Sequence, residues 1–211
     1  MFNLDNPFWN TVSKLCDLVI LNLLFVACCI PVITIGSSIT ALYVVMRKMI
    51  RNEGSSVVKE FFKAFKDNFK QATIIWLILL PLGLLTIYEM YLMTWVELSS
   101  LAIIKYVFFS FLIVWILIVS YVFPVAGRFD NSIIGTFKNA LLMSIYHLFP
   151  WSILIVGVNL LPWFLIFSAS GLKLIYIQVM CWIGFTIGAG INSFIFEKIF
   201  QKYIDAKEES N

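Results

Sequence analysis

Long, unbroken apolar runs constrain the fold of this chain more than any other feature of its sequence. The first run extends from Leu15 to Met46 and is interrupted only between Pro31 and Ser38. One straight helix over that stretch would be about 48 Å long, whereas the hydrocarbon core of a bilayer is about 30 Å thick. The run therefore predicts an N-terminal helical hairpin with a turn at Gly36. In the alternative interpretation, the second helix kinks and lies shallow instead of crossing.

The composition indicates a membrane environment. Apolar residues make up 61% of the 211 residues, charged residues make up 13%, and the mean hydropathy is +0.94. A globule of this size cannot bury so much apolar surface, whereas a bilayer accepts it. Backbone polar groups in a bilayer must be satisfied within helices or a closed barrel, and continuous apolar runs indicate helices. The prediction is an all-α, polytopic transmembrane helical bundle.

Further apolar runs predict four more spans. They lie at about 72–88, 106–124, 140–167 and 174–196. Pro150 and Pro162 should kink or shorten the third of these. The chain then has six spans, or five if the second helix of the hairpin does not cross. The predicted single membrane domain, 1–211, has four parts: an N-terminal helical hairpin (1–51), an amphipathic interfacial helix (55–71), a four-span bundle (72–196) and a charged tail (197–211).

The distribution of charge predicts the orientation. Seven of the fifteen basic residues lie between Arg47 and Lys70. Short connections rich in Lys and Arg stay in the cytoplasm, so this one is predicted to be cytoplasmic, and six spans place the C-terminal tail there too. The net charge of +3 is too small to suggest nucleic acid as a partner. The lipid bilayer is the partner that the sequence indicates.

The predicted amphipathic helix, 55–71, carries aromatic and basic residues side by side. The residues concerned are Phe61, Phe62, Lys63, Phe65, Lys66 and Phe69. A helix of this kind lies in the interface with its lysines at lipid phosphates, so membrane anchoring is the simpler interpretation. Four phenylalanines within nine residues exceed what anchoring requires. A docking surface for a protein partner is therefore the second hypothesis.

Several polar residues fall inside predicted spans, where polar groups are costly and often functional. They are Asp17, Asn22, Asn159, Gln178 and Asn192. Asp17 is interpreted as one half of a snorkelling ion pair with Lys14, one helical turn earlier, and alternatively as a proton or substrate site. Asn22 is expected to form a hydrogen bond between helices.

Glycine spacing in the last predicted span indicates close helix packing. Gly184 and Gly188 form a GxxxG step on the helix face that also holds Asn192. Such a step lets two backbones approach closely, although it does not indicate whether the neighbouring helix belongs to this chain or to another.

Residues suited to catalysis or metal binding form no recognisable motif. The sequence contains no HExxH, no GxSxG and no phosphate-binding glycine loop, and its single histidine, His147, is interpreted as an interfacial hydrogen-bonding residue. The cysteines lack metal-ligand spacing and are interpreted as buried thiols; they are Cys16, Cys28, Cys29 and Cys181. We therefore expect a protein that is not an enzyme and has no catalytic residue, cofactor or metal site.

Motifs in the N-terminal third together resemble the YesL-like family of bacterial membrane proteins. They are Asn6–Trp9, Asp17–Leu18, Leu21–Leu24, Pro31–Gly36, Ala41–Tyr43 and Phe61–Phe69. The chain departs from the family pattern at Phe25, where Trp is expected, and at Ser37, where Pro is common. The family has no known function, so the resemblance implies no reaction and no catalytic residue.

The same resemblance implies a context. Genes of this family often lie beside those of carbohydrate ABC transporters in Gram-positive bacteria, which implies a protein of the bacterial cell membrane. The first hypothesis is therefore an accessory or assembly subunit associated with an oligosaccharide ABC importer, in contact with its permease subunits. A stand-alone small-molecule transporter or channel is the second hypothesis, and a membrane sensor or regulator of sugar utilisation is the third.

Overall fold

The computed structural model describes residues 7–54, 56–95, 102–168 and 173–208, and this part of the chain is helical without any strand. The helices are α1 (Pro7–Cys29), α2 (Ile35–Ile50), α3 (Val57–Trp95), α4 (Ala102–Ala126), α5 (Ile133–Tyr146), α6 (Ile153–Ser168), α7 (Lys173–Val179) and α8 (Phe185–Glu208). Within these ranges, six helical stretches are long and apolar enough to cross a membrane. The predicted all-α, multi-span fold is confirmed.

The first two helices form the predicted hairpin, but Gly36, the predicted position of its turn, is instead the second residue of α2. Lys14 Nζ, near the start of α1, donates to Asn52 Oδ1 just after α2, at 3.1 Å, so the two helices run antiparallel. A short 3-10 turn, Val32–Thr34, joins them. The stretch Val32–Ile50, which contains α2, is among the six candidate spans by length and composition.

Side-chain hydrogen bonds satisfy the backbone carbonyls around the hairpin turn. The Thr34 hydroxyl donates to the carbonyls of Cys28 and Pro31, at 2.6 and 2.8 Å. The indole of Trp76 on α3 donates to the carbonyl of Val32 at 2.7 Å. Side chains thus replace water at the end of α1, which is the condition for irregular backbone at membrane depth.

Helix α2 lies at the centre of the bundle and packs along the first half of α3. Small side chains make the approach possible: a Cβ placed on Gly36 would lie 2.5 Å from the Ala72 carbonyl oxygen. The Ser37 hydroxyl forms a hydrogen bond of 2.9 Å with that of Thr73. At the other end of the pair, Lys48 forms an ion pair with Glu60.

Helix α3 corrects one predicted boundary. The amphipathic segment predicted as a separate helix at 55–71 and the span predicted to begin at residue 72 form one uninterrupted helix. Its 39 residues extend about 58 Å, roughly twice the hydrocarbon thickness. Polarity changes at Gln71, but no residue there stops a helix, so the helix continues.

The span predicted at 140–167 is also corrected. A kink at Leu148–Ser152 divides this region, because Pro150 cannot continue the helix and Phe149 is extended (φ −121°, ψ 128°). Helix α5 begins earlier than predicted, with Ser132 as its N-cap, and at 14 residues is too short to cross. The predicted effect of Pro150 is confirmed, whereas Pro162 lies inside α6 without breaking it.

The last candidate span is a composite of α7, a widened π-type turn at Met180–Gly184, and α8. The charged tail predicted to begin at Glu197 continues α8 as regular helix as far as Glu208, and its final residues, 209–211, lie outside the described residues. Basic side chains from α2, α8 and the loop after α4 lie at one end of the bundle, which we call the basic end. They are Arg47, Lys48, Arg51, Arg128 and Lys198.

Candidate functional site

Asn22 holds the widened turn of the last span. Its side-chain amide donates to the carbonyls of Met180 and Cys181, at 3.1 and 2.7 Å, and its Oδ1 accepts from the Thr186 backbone N–H at 3.1 Å. The side chain is fully buried. A π-type turn frees backbone groups from the usual helical ladder, and one asparagine satisfies three of them. The predicted bond between helices is confirmed for Asn22.

A second polar cluster connects four helices, and we call it the polar ladder. Asn192 Nδ2 on α8 donates to the Tyr43 hydroxyl on α2 at 3.2 Å and to Asn159 Oδ1 on α6 at 2.8 Å. Asn159 Nδ2 in turn donates to the Ser120 hydroxyl on α4 at 3.3 Å. The structure thus brings together two residues that the sequence indicated separately. Asn192 Oδ1 is buried without a partner.

Gln178 and the GxxxG step form few contacts within the described chain. Gln178 is exposed on α7. A Cβ on Gly184 would meet the Met180 side chain of its own helix, and one on Gly188 would lie at an ordinary 3.7 Å from Val158. Within the described chain no second backbone comes close at this step, and packing against another chain stays a prediction.

Asp17 lines a cavity between α1, α2, α8 and the start of α3. The cavity has a volume of about 620 Å³, and its walls combine apolar residues such as Val45 and Phe194 with the charged residues Lys14, Lys48, Glu53 and Glu60. The predicted ion pair is not formed: Lys14 bonds to Asn52 instead, and Asp17 pairs with no residue in the described part of the chain. A carboxylate without a partner in a membrane bundle is a candidate to bind a cation or a proton.

The aromatic residues at the start of α3 divide between two faces. Phe61 is fully buried against α1 and α2, so its assignment to a docking surface is wrong. Phe62 and Phe69 are 43% and 40% exposed, and Phe65 is half-buried between them. With Val58 they follow a spacing of four, three and four residues, which places them along one side of a helix. We call these four residues the aromatic stripe.

Lysines border the aromatic stripe along its whole length. They are Lys59, Lys63, Lys66 and Lys70, all exposed. None of them forms an ion pair within the part of the chain that the structure describes. The stripe and its lysines together form an apolar and positively charged surface on one helix.

The sequence predicts that His147 is an interfacial hydrogen-bonding residue. The ring of His147 forms a hydrogen bond of 3.3 Å with the Tyr203 hydroxyl, and burial, followed by the charge of Lys202, lowers the pKa of His147.

Cys28 and Cys29 are half-buried, whereas Cys16 and Cys181 are exposed on candidate spans, so the interpretation of all four as buried thiols is wrong. Among the described residues, no three His, Cys, Asp or Glu side chains are grouped as metal ligands.

The sequence analysis did not identify Ser152 and its hydrogen-bond partner Tyr121 as important polar residues. Ser152 is buried at the kink before α6, where it bonds to the Tyr121 hydroxyl at 2.7 Å and donates to the carbonyls of Ser144 and His147. Serine and tyrosine are common in spans, so neither stands out in a sequence. Proximity to Pro150, which frees carbonyls, is the signal that could have identified Ser152.

Comparison with known proteins places the first three helices in context. Residues 18–90, about a third of the chain, match a family described as "Protein of unknown function, DUF624". The matched segment contains Asn22, the hairpin turn and the aromatic stripe, and it is consistent with the YesL-like resemblance. No curated protein and no solved structure matches the chain.

Proposed function

We propose that this chain is a non-enzymatic accessory subunit that binds a membrane partner through the aromatic stripe, and that the partner is a permease subunit of an oligosaccharide ABC importer. The family resemblance supplies the class of partner. The exposed stripe with its four lysines is the observation that supports a binding role. In this proposal the chain acts by contact with the permease and not by chemistry of its own.

The physical chemistry of the stripe supports a protein partner. Phe62 and Phe69 present aromatic surface at low entropic cost, as residues at the centre of protein interfaces do. The bordering lysines have no acidic partners in the described chain, so an acidic surface would complement them. We infer that the permease presents a helix with an apolar face bordered by Asp and Glu.

The orientation follows from the positive-inside rule. Arg47, Lys48, Arg51 and Arg128 are gathered near one end of the bundle, and the four lysines of α3 follow the same connection. We propose that this basic end faces the cytoplasm and that the protein lies in the bacterial cell membrane. The stripe would then meet the cytoplasmic side of the permease.

Recovery of permease subunits in a gentle detergent tests the proposal. Wild type expressed from its native locus should retain the permease. Phe62→Leu and Phe69→Leu should each weaken binding of the permease by about 1 to 3 kcal/mol. Lys63→Glu combined with Lys66→Glu should abolish binding. Phe111→Leu is the matched control, because Phe111 is a 62% exposed phenylalanine on α4, outside the stripe. Wild type that recovers no permease subunit refutes the proposal, and leucine variants that bind normally assign the stripe to lipid anchoring.

A transporter is the second candidate function, and the Asp17 cavity is the specific observation in its favour. A cavity between helices, an unpaired carboxylate and a widened turn in the last span are features that transporters use at a binding site. Uptake of a cationic solute by proteoliposomes, lost in Asp17→Asn, would support this function. Absence of uptake from the purified chain would count against it.

A further inference from the structure

Two arginines line a small cavity at the basic end of the bundle, apart from both the aromatic stripe and the Asp17 cavity. Arg47 is on α2 and Arg128 follows α4, and α8 closes the cavity from the third side. The cavity has a volume of about 20 Å³, room for a single oxygen-sized group, and the rings of Tyr43 and Phe196 form part of its wall.

The charges around this cavity do not balance. Its one acidic side chain, Glu197, already has a cation of its own, because Arg51 Nε lies 3.1 Å from Glu197 Oε1. The guanidinium groups of Arg47 and Arg128 form no ion pair or hydrogen bond in the described part of the chain. Two guanidinium groups beside an apolar wall are therefore left without an anion.

A buried hydroxyl faces the same cavity. Ser193 on α8 lines it, is only 5% exposed, and its Oγ has no hydrogen-bond partner. Buried hydroxyl groups in folded proteins are nearly always paired, so an unpaired one beside two free cations indicates a missing acceptor.

We propose that Arg47, Arg128 and Ser193 form a phosphate-binding site. One phosphate oxygen would occupy the cavity and accept a hydrogen bond from Ser193 Oγ, while the remaining oxygens accept from the two guanidinium groups at its mouth. Arginine suits this role because its planar fork matches two oxygens of a phosphate. The phosphate belongs either to a lipid headgroup or to a free phosphate ion.

Thermal unfolding of the full chain in neutral detergent, followed by tryptophan fluorescence, tests the site. The probes are inorganic phosphate and short-chain phosphatidylglycerol, each titrated at constant ionic strength with chloride as the reference anion. At least one probe should raise the unfolding temperature of wild type. Arg47→Gln with Arg128→Gln should raise the apparent Kd about tenfold or more, and Ser193→Ala should raise it severalfold.

Each source of phosphate predicts a different outcome, and one control variant serves both. Lys138→Gln is the control, because Lys138 is an exposed basic residue on α5 that does not line the cavity. Stabilisation by phosphatidylglycerol alone assigns a lipid headgroup, and stabilisation by inorganic phosphate alone assigns the free ion. No stabilisation by either probe, or an equal loss in Lys138→Gln, overturns the proposal. If the double glutamine variant does not fold, Arg47→Lys with Arg128→Lys keeps both charges but loses the fork, and should still weaken binding.

Discussion

Single polar side chains decide where this bundle departs from regular helix. Asn22 satisfies three backbone groups of the widened turn at Met180–Gly184, and Ser152 does the same for two carbonyls near Pro150. In both places an irregular backbone inside the bundle is matched by a buried side chain from a neighbouring segment. Neither departure would be stable in lipid with its polar groups unpaired.

The role of Asn22 predicts a stability effect. Asn22→Ala removes the buried hydrogen bonds to the carbonyls of Met180 and Cys181 and to the N–H of Thr186, so the free energy of unfolding should fall by about 1 to 3 kcal/mol. Gln178→Ala is the matched control, because Gln178 is an exposed amide on the same span. Unfolding by denaturant in mixed micelles measures both; equal effects of the two variants would contradict the role of Asn22.

His147 predicts how stability depends on pH. Burial and then the charge of Lys202 lower the pKa of His147 from its ordinary 6.5, so the folded protein favours the neutral ring. The stabilising contribution is complete above the unfolded pKa of about 6.5 and is lost as the pH falls through the lower folded pKa. Wild type should therefore lose stability on acidification below about pH 6.5, and His147→Gln should lose less. Parallel pH profiles for the two proteins would refute this assignment.

Helix boundaries show how much of the fold could be predicted from sequence. The hairpin and the effect of Pro150 follow from apolar run length and from proline, which are local signals. The continuity of α3 and the separate helix α5 depend on contacts made after folding. Helix α3 packs against α2 on both sides of Gln71, and Gln71 donates a hydrogen bond to Thr136 in the first turn of α5. Likewise, the polar ladder joins Asn159 and Asn192 through packing that no single span reveals.

The seam between α2 and α3 predicts a steric effect at the scale of two helices. Gly36→Ala would place a methyl group 2.5 Å from the Ala72 carbonyl oxygen and 2.7 Å from Trp76 Cβ, so the helices must separate. We expect the free energy of unfolding to fall by about 1 to 3 kcal/mol, as for overpacked cores. Gly157→Ala is the control, since a Cβ there meets nothing within 4 Å. A Gly36→Ala protein as stable as Gly157→Ala would contradict the close approach.

The whole molecule is a membrane bundle with one basic end, and its proposed role depends on which side that end faces. The cavity between Arg47 and Arg128 lies at that end, whereas the aromatic stripe begins there and runs along α2 to Phe69, beside the hairpin turn. A cytoplasmic basic end would bring the cavity and the first turns of the stripe to the same compartment as the nucleotide-driven half of an importer. An outward basic end would separate them from it.

Cysteine accessibility in intact cells tests that orientation most directly. Single cysteines replace Gly54, Gln201 or Lys173 in a background without the four native cysteines, and an impermeant thiol reagent is applied from outside. Gly54 lies in the connection between α2 and α3, Gln201 is exposed near the end of α8, and Lys173 is exposed at the start of α7. We expect labelling at residue 173 alone, with residues 54 and 201 labelled only after the cells are opened. Labelling of residue 54 from outside would contradict the orientation and, with it, the proposed docking to a cytoplasmic surface.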